Sequence, residues 1–314
     1  MKTVLTKSTR RAAEFIKNGG LVAFPTETVY GLGADVFDEQ AIKKIFVAKQ
    51  RPSDNPLIAH VASRKQINEL VSEITQSAEK FIEAFFPAPL TLVLPKSARV
   101  PLIATANLQT IGVRMPHHDL ARKFLNECGS PLVAPSANLS GKPSPTTWQA
   151  VFEDLNERID CILQGEQTEI GLESTVVDCT KDFPLVLRVG AVSLEELQKV
   201  VPETRIYKSE KTENLPSPGL KYRHYSPRAK VVLFQSPKSK AQSPQSSAFI
   251  GLDTPDEEFA LVNICSSVEE YAHEVFAFFR EADAAGIKTI FCQTVEEAGI
   301  GRALIDRLKR AASD

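Results

Sequence analysis

Apolar and polar positions along this chain alternate between a strand-like period of two and a helix-like spacing of three and four. Leu21 to Phe24 is a short apolar run stopped by Pro25, which lacks the N–H that a central strand needs. Before it, Ser8 is placed to cap a helix whose Ala12, Phe15 and Ile16 share a face and whose stop is Gly19. After it, Asp38 suits the N-cap of a second helix carrying Ile42, Ile45 and Phe46 on one side. Leu57 to Val61 alternates as a strand, with His60 opposite Leu57, Ala59 and Val61. Ile74, Ala78, Phe81, Ile82, Phe85 and Phe86 form a core-facing helical stripe.

Further strands are predicted at Leu90–Leu94, Ile111–Met115, Pro131–Ala134, Cys161–Leu163, Thr175–Val177 and Leu185–Leu187. Helices are predicted after Asp119, read as a cap for Leu120, Phe124 and Leu125, and around Trp148, Val151, Phe152 and Leu155. Ser193 and Glu196 make a capping box for a helix that closes a first domain, 1–200. Residues 201–228 are polar, rich in proline and cations and without period, and read as a linker. Residues 229–314 return to alternation, with strands at Val231–Phe234, Phe249–Leu252, Leu261–Ile264 and Thr289–Cys292 and helices near 267–285 and 300–312. Ser267 with Glu270 is read as a second capping box, and residues 235–247 as a low-complexity surface loop. The class is therefore α/β, with a smaller Rossmann-like α/β domain at the C-terminus that lacks a Gly-x-Gly-x-x-Gly phosphate loop.

Composition narrows the function classes. With 43% hydrophobic and 24% charged residues over 314 positions, the chain has the make-up of a globular protein. A formal net charge of −2 supplies no global field for nucleic acid or an anionic membrane, so a phosphate site must be local. Five cysteines, far apart and without a CxxC pair, indicate neither a disulfide framework nor a zinc site. No run reaches the ~20 apolar residues of a membrane span, and the first twenty residues lack a signal-peptide core. A cytoplasmic protein is expected.

Candidate chemistry gathers at element ends. Between Gly19 and His60, the loop after Phe24 offers Thr26, Glu27, Thr28 and Tyr30, with Gly31 and Gly33 allowing a turn or a close approach. The second helix exits through Lys49, Gln50 and Arg51. These cations either complement the helix dipole or, with Ser53, Asp54, Asn55 and His60 following, belong to an anion pocket. Arg114, inside a strand, needs either a neighbouring carboxylate or a substrate carboxylate to fork. His117, His118 and Asp119 lack further ligands at metal-binding spacing. The loop PSANLSGKPSP, Pro135 to Pro145, carries Ser136, Asn138, Ser140, Lys142 and Ser144, and by composition is an ordinary turn-rich connection. Lys221, Tyr222, Arg223, His224 and Tyr225 pair aromatics with cations, as a nucleic-acid tether, a spacer or a strap over an anion would.

The combined run FPTETVYGLG and AKQRPSDNPLIAH, the Ser-Ala-Asn loop, GLEST from Gly171, and GLKYRHYSP in the linker together resemble the YrdC-like threonylcarbamoyl-AMP synthase family in its two-domain long form. The resemblance spans residues 5–228 and continues more weakly beyond. It implies a YrdC-like twisted mixed sheet with helices enclosing a concave site, and a linker that folds back over that site. It also implies an ATP-dependent nucleotidyltransferase that joins L-threonine, bicarbonate and ATP into threonylcarbamoyl-AMP and pyrophosphate for tRNA modification. Carried over residue by residue, the L-threonine contacts would be Thr28, His60, Arg114, the backbone at Ala134, and Ser174. The ATP contacts would be Arg51, Asn55, Thr110, Ser136, Ser144, Arg188 and Tyr225, and Lys49, Arg51, Ser136 and Asn138 would form the catalytic group. Magnesium is implied with ATP. It would be held mainly by nucleotide oxygens and water because no carboxylate cage is visible, with Glu27 and Glu173 as outer contributors or, equally, as anchors of loop backbone. A tRNA threonylcarbamoyl transferase would receive the product, without direct tRNA binding by this chain.

Two other readings compete. An RNA-binding module could use the same concave basic surface without chemistry, against which stand the acidic net charge and the lack of stacked-aromatic RNA motifs. A carbamoyl-transfer enzyme of hydrogenase maturation would carry zinc-finger and acylphosphatase-like regions, which this sequence lacks.

Overall fold

The computed structural model describes residues 2–207, 225–235 and 244–312. Its strands, in chain order, are β1 (Val4–Thr6), β2 (Val22–Phe24), β3 (Gly31–Asp35), β4 (Ile58–His60), β5 (Leu90–Pro95), β6 (Thr110–Arg114), β7 (Leu132–Val133), β8 (Cys161–Leu163), β9 (Thr175–Asp178), β10 (Leu185–Arg188), β11 (Arg205–Ile206), β12 (Lys230–Phe234), β13 (Ser247–Gly251), β14 (Leu261–Ile264) and β15 (Thr289–Gln293). The α-helices are α1 (Thr9–Lys17), α2 (Glu39–Lys49), α3 (Arg64–Leu70), α4 (Gln76–Phe85), α5 (Asp119–Cys128), α6 (Trp148–Leu155), α7 (Leu194–Val200), α8 (Val268–Ala284) and α9 (Gly299–Ala312).

Among the described residues the first 11 strands form one mixed sheet, in the order β1-β8-β2-β3-β7-β4-β6-β5-β9-β10-β11. Period-two alternation sorts its side chains between two layers. Ala23, Ala59, Val113, Val133 and Ile162 face the main core, where Ile42, Ile45, Phe81, Val151 and Leu197 of α2, α4, α6 and α7 cover them. Val22, Phe24, Leu132, Cys161 and Leu163 point the other way, against Ala12 and Ile16 of α1 and Phe124 and Leu125 of α5. On that second face the cover is partial. Ile58, Val93, Val176 and Leu187 cluster with Leu185 and Tyr207, and among the described residues no helix residue joins them. His60 and Arg114, register partners on the parallel pair β4 and β6, emerge beside this cluster.

The other four strands make a parallel sheet, β12-β15-β13-β14. Ile250, Ile290 and Cys292 pack on Tyr271, Phe276, Leu304 and Leu308 of α8 and α9, while Phe234, Phe249 and Phe291 form a smaller cluster on the other side. This C-terminal core also takes in Leu172, which precedes β9 in the chain, and Tyr225.

Several expectations change. Gly31 and Gly33 are not turn residues; they lie in β3, which pairs antiparallel with β2 and puts Val22 opposite Gly33 and Phe24 opposite Gly31. A Cβ on Gly33 would sit 3.0 Å from the Phe24 ring and 3.2 Å from Leu132, so the glycine serves close packing. The short strands β1 and β11 escape a periodicity reading, and β11 carries the large sheet beyond Val200. The cap of α5 is His118, whose Nδ1 accepts from the Ala121 N–H, while Asp119 occupies the first turn. At α8, Ser267 accepts from the Glu270 N–H, but the Glu270 carboxylate takes the N–H of Ser266 instead of closing a box on Ser267. Lys221, Tyr222, Arg223 and His224, and positions 236–243 of the expected surface loop, lie outside the described residues.

Candidate active site

A cleft opens on the second face of the large sheet, beside the ends of β4 and β6. Thr28, Arg51, His60, Arg114, Ala134, Ser136, Ser174, Arg188 and Tyr225 all line it, together with Glu173. Residues separated by almost two hundred positions thus meet because strand ends and the loops leaving them converge there.

The loop after β2 is braced by its own hydroxyls. Thr26 and Thr28 lie 2.8 Å apart through their Oγ1 atoms, and Thr26 donates to the Val29 carbonyl. Glu27 turns away from solvent to pair with Arg114, Oε2 to Nη2 at 2.7 Å, and its Oε1 accepts from the His117 N–H. Arg114 therefore has the neighbouring carboxylate that its place in a strand calls for, and it also lines the cleft.

His60 is buried beside Arg114, edge-on to Phe24 at 5.8 Å. Burial first, and then the Arg114 charge, push its pKa down to about 3, so the imidazole is neutral at pH 7. Nδ1 lies 3.3 Å from the Ile58 carbonyl, which only accepts; the proton therefore sits on Nδ1, and Nε2 is an acceptor. On the other side, Arg188 donates from Nε to the Ser174 carbonyl and from Nη2 to Ser174 Oγ, which in turn lies 2.8 Å from Thr91 Oγ1. The Ala134 N–H is used by the Ile58 carbonyl, so a ligand at this backbone would meet a carbonyl oxygen.

The Ser-Ala-Asn loop is held from behind. Helix α2, capped by Asp38 and ended by Gln50 in the left-handed conformation (φ 52), delivers Lys49 into the interior. Its Nζ donates to the carbonyls of Ser136 and Asn138, both at 2.5 Å. Asn138 accepts from Ser136 Oγ at 2.6 Å and donates to the carbonyls of Leu139 and Lys142. Burial lowers the Lys49 pKa, with Arg51 adding repulsion, whereas the oxygens around Nζ favour the ammonium form. Lys49 and Asn138, expected in the catalytic group, are thus off the cavity wall, in the position of residues that fix where Ser136 stands.

Asn55, Thr110 and Ser144 also lie off the wall. Asn55 is buried and presents its carbonyl toward Arg51. Thr110 begins β6, four residues and about 13 Å of strand from Arg114. Ser144 Oγ donates to Glu173 at 2.5 Å.

Glu173 is the carboxylate whose role the sequence reading left open. Arg307 of α9 donates from Nε to its Oε2 at 2.9 Å and from Nη2 to the Val189 carbonyl. Burial would raise the Glu173 pKa, but Arg307, Arg188 and the bonds from Ser144 and Arg307 outweigh it and hold the carboxyl below its usual range. A signal for Arg307 existed: it falls on the apolar stripe of Leu304, Leu308 and Ala311, and a cation on a buried face requires an acid. Tyr225 completes this wall, stacked on Phe276 at 5.5 Å with the Arg307 guanidinium 5.3 Å from its ring centre.

Glu173 on the cleft wall and Glu27 behind Arg114 are thus both committed to arginines, and among the described residues no group of three or more acidic, histidine or cysteine side chains is placed to hold a metal. The donor set does not fit a protein-caged ion. No helix among the described residues is long and apolar enough to cross a membrane.

Comparison with known proteins accords with this geometry. A family model named for Sua5, YciO and YrdC, with the description telomere recombination, matches residues 14–190, and one for the threonylcarbamoyl-AMP synthase C-terminal domain matches residues 192–313. The chain is 44% identical to threonylcarbamoyl-AMP synthase of Pyrococcus abyssi, over 96% of this chain and 93% of that protein, and 38% identical to that of Bacillus subtilis, over 96% and 92%. A shorter relative of the same name from Vibrio vulnificus is 38% identical over 55% of this chain and 95% of its own length. The crystal structure of P. abyssi Sua5 complexed with L-threonine superposes with a TM-score of 0.90 at 44% identity, covering 99% of this chain and 97% of that one. With matches to both models and full-length similarity to such relatives, the chain belongs to the threonylcarbamoyl-AMP synthase family, in its two-domain form.

Proposed function

We propose that this protein makes L-threonylcarbamoyl-AMP from L-threonine, bicarbonate and ATP, releasing pyrophosphate and supplying an activated intermediate for tRNA modification. The observation that carries the reading is the convergence of Thr28, His60, Arg114 and Ser174 with Arg51, Ser136 and Arg188 on one cleft.

In this reading Arg114, held by Glu27, presents its guanidinium to the amino-acid carboxylate. Neutral His60 offers Nε2 as an acceptor to an N–H of the amino group. The threonine amine adds to bicarbonate with loss of water, giving a carbamate. A carbamate oxygen then attacks the α-phosphorus, and the bond to the β-phosphate oxygen breaks to release pyrophosphate. Negative charge concentrates on both partners, so Arg51 and Arg188 act by position and charge more than by proton transfer. Magnesium would come with the nucleotide and would screen the charge of its phosphates. The product passes to a tRNA threonylcarbamoyl transferase.

Incubation with the three substrates should yield the adenylate by mass spectrometry, with pyrophosphate release requiring both threonine and bicarbonate. An RNA-binding module would release none, and that result would reject the reading.

A further inference from the structure

Arg307 is buried in the structure, with 1% of its side chain exposed, on a helix of the C-terminal sheet; yet its partner Glu173 lies on the cleft wall. An unpaired carboxylate there would oppose every anion the cleft is proposed to hold. Leu172, next in the chain to Glu173, is packed into the C-terminal core, and so is Tyr225, whose ring faces the same guanidinium. The Glu173 carboxylate is therefore shared between Ser144 of the Ser-Ala-Asn loop and Arg307 of α9.

We infer that Arg307 is a positioning residue by which the C-terminal unit neutralises Glu173, so that this carboxylate does not offset the positive charge that Arg51 and Arg188 present to the triphosphate. Its role is electrostatic and acts through Glu173; Arg307 itself is absent from the cleft wall. This inference rests on ATP being the nucleotide substrate. It assigns to the C-terminal unit a part in building the nucleotide site.

The test is ATP affinity of the full-length chain by isothermal titration calorimetry, with thermal unfolding as a control, for wild type, R307M and R307M/E173Q. R307M should bind ATP about tenfold or more weakly, because an uncompensated charge then faces the phosphates at low effective dielectric. L-threonine affinity should change less. R307M/E173Q should recover most of the lost ATP affinity, and the loss in R307M should be present well below its unfolding midpoint, which a purely structural role for Arg307 does not provide. Unchanged ATP affinity in R307M, or a loss that E173Q leaves in place, overturns the inference. If R307M does not fold, the double variant decides: folded and close to wild type in ATP affinity supports the inference, and unfolded or weakly binding rejects it. A wild-type chain that binds no ATP rejects the functional reading and this inference with it, whereas wild-type binding with an indifferent R307M rejects the inference alone.

Discussion

Glu27 Oε2 lies 2.7 Å from Arg114 Nη2, with both side chains almost wholly buried, so a loop that begins at the end of β2 clamps a cation emerging from β6, four places away in the sheet. Removing one member of a buried pair leaves the other charged and unmatched, typically at a cost of about 3 kcal/mol. Glu27→Ala should therefore lower stability by that order in urea denaturation. Because Arg114 loses its orientation, the KM for L-threonine should rise more than that for ATP. Equal changes in both constants would show that Glu27 supports the site only generally.

His60 makes stability depend on pH in a definite direction. Its folded pKa of about 3 lies below the ordinary 6.5, so between those values the unfolded chain binds the extra proton. Its contribution is constant above about pH 6.5 and falls with decreasing pH, by up to ~1.4 kcal/mol per unit, until about pH 3. Thermal unfolding from pH 7 to pH 4 should fall less steeply for His60→Gln than for wild type. Parallel profiles would show that His60 does not stay neutral.

Lys49 distinguishes a loop anchor from a group that touches the reaction. Lys49→Met would strip the carbonyls of Ser136 and Asn138 of a buried donor, at roughly 1–3 kcal/mol for each group left unsatisfied. The expected outcome is a clear drop in Tm, faster proteolytic cleavage within 135–145, and a raised KM for ATP. Loss of kcat at unchanged Tm and unchanged cleavage would instead put Lys49 at the reacting atoms.

Gly171 reports on the junction with α8. It sits at φ +78, and a Cβ there would lie 2.5 Å from the His273 carbonyl oxygen, a backbone atom. Gly171→Ala should destabilise by more than 1 kcal/mol, since both the conformation and the space exclude a side chain. Urea denaturation measures this, and a wild-type midpoint would show that the GLEST segment and α8 do not meet as closely as the structure has them.

Local pattern was enough for much of this protein. Asp38 as a cap, the Ile42, Ile45 and Phe46 face, and the strands around His60 and Arg114 follow from spacing and capping, which act over a few residues. Loop polarity at element ends marked Thr28 and Arg51, whereas Ser136, Ser174 and Arg188 were marked by the resemblance of their motifs to the family. Distant pairings were decided by the tertiary structure. Glu27 chose Arg114, Lys49 went behind the Ser-Ala-Asn loop, and Arg307 crossed from α9 to Glu173, since a buried charge takes whichever counter-charge the packing brings near. The same holds for β3: a glycine in a strand and a glycine in a turn read alike until Phe24 is seen beneath it.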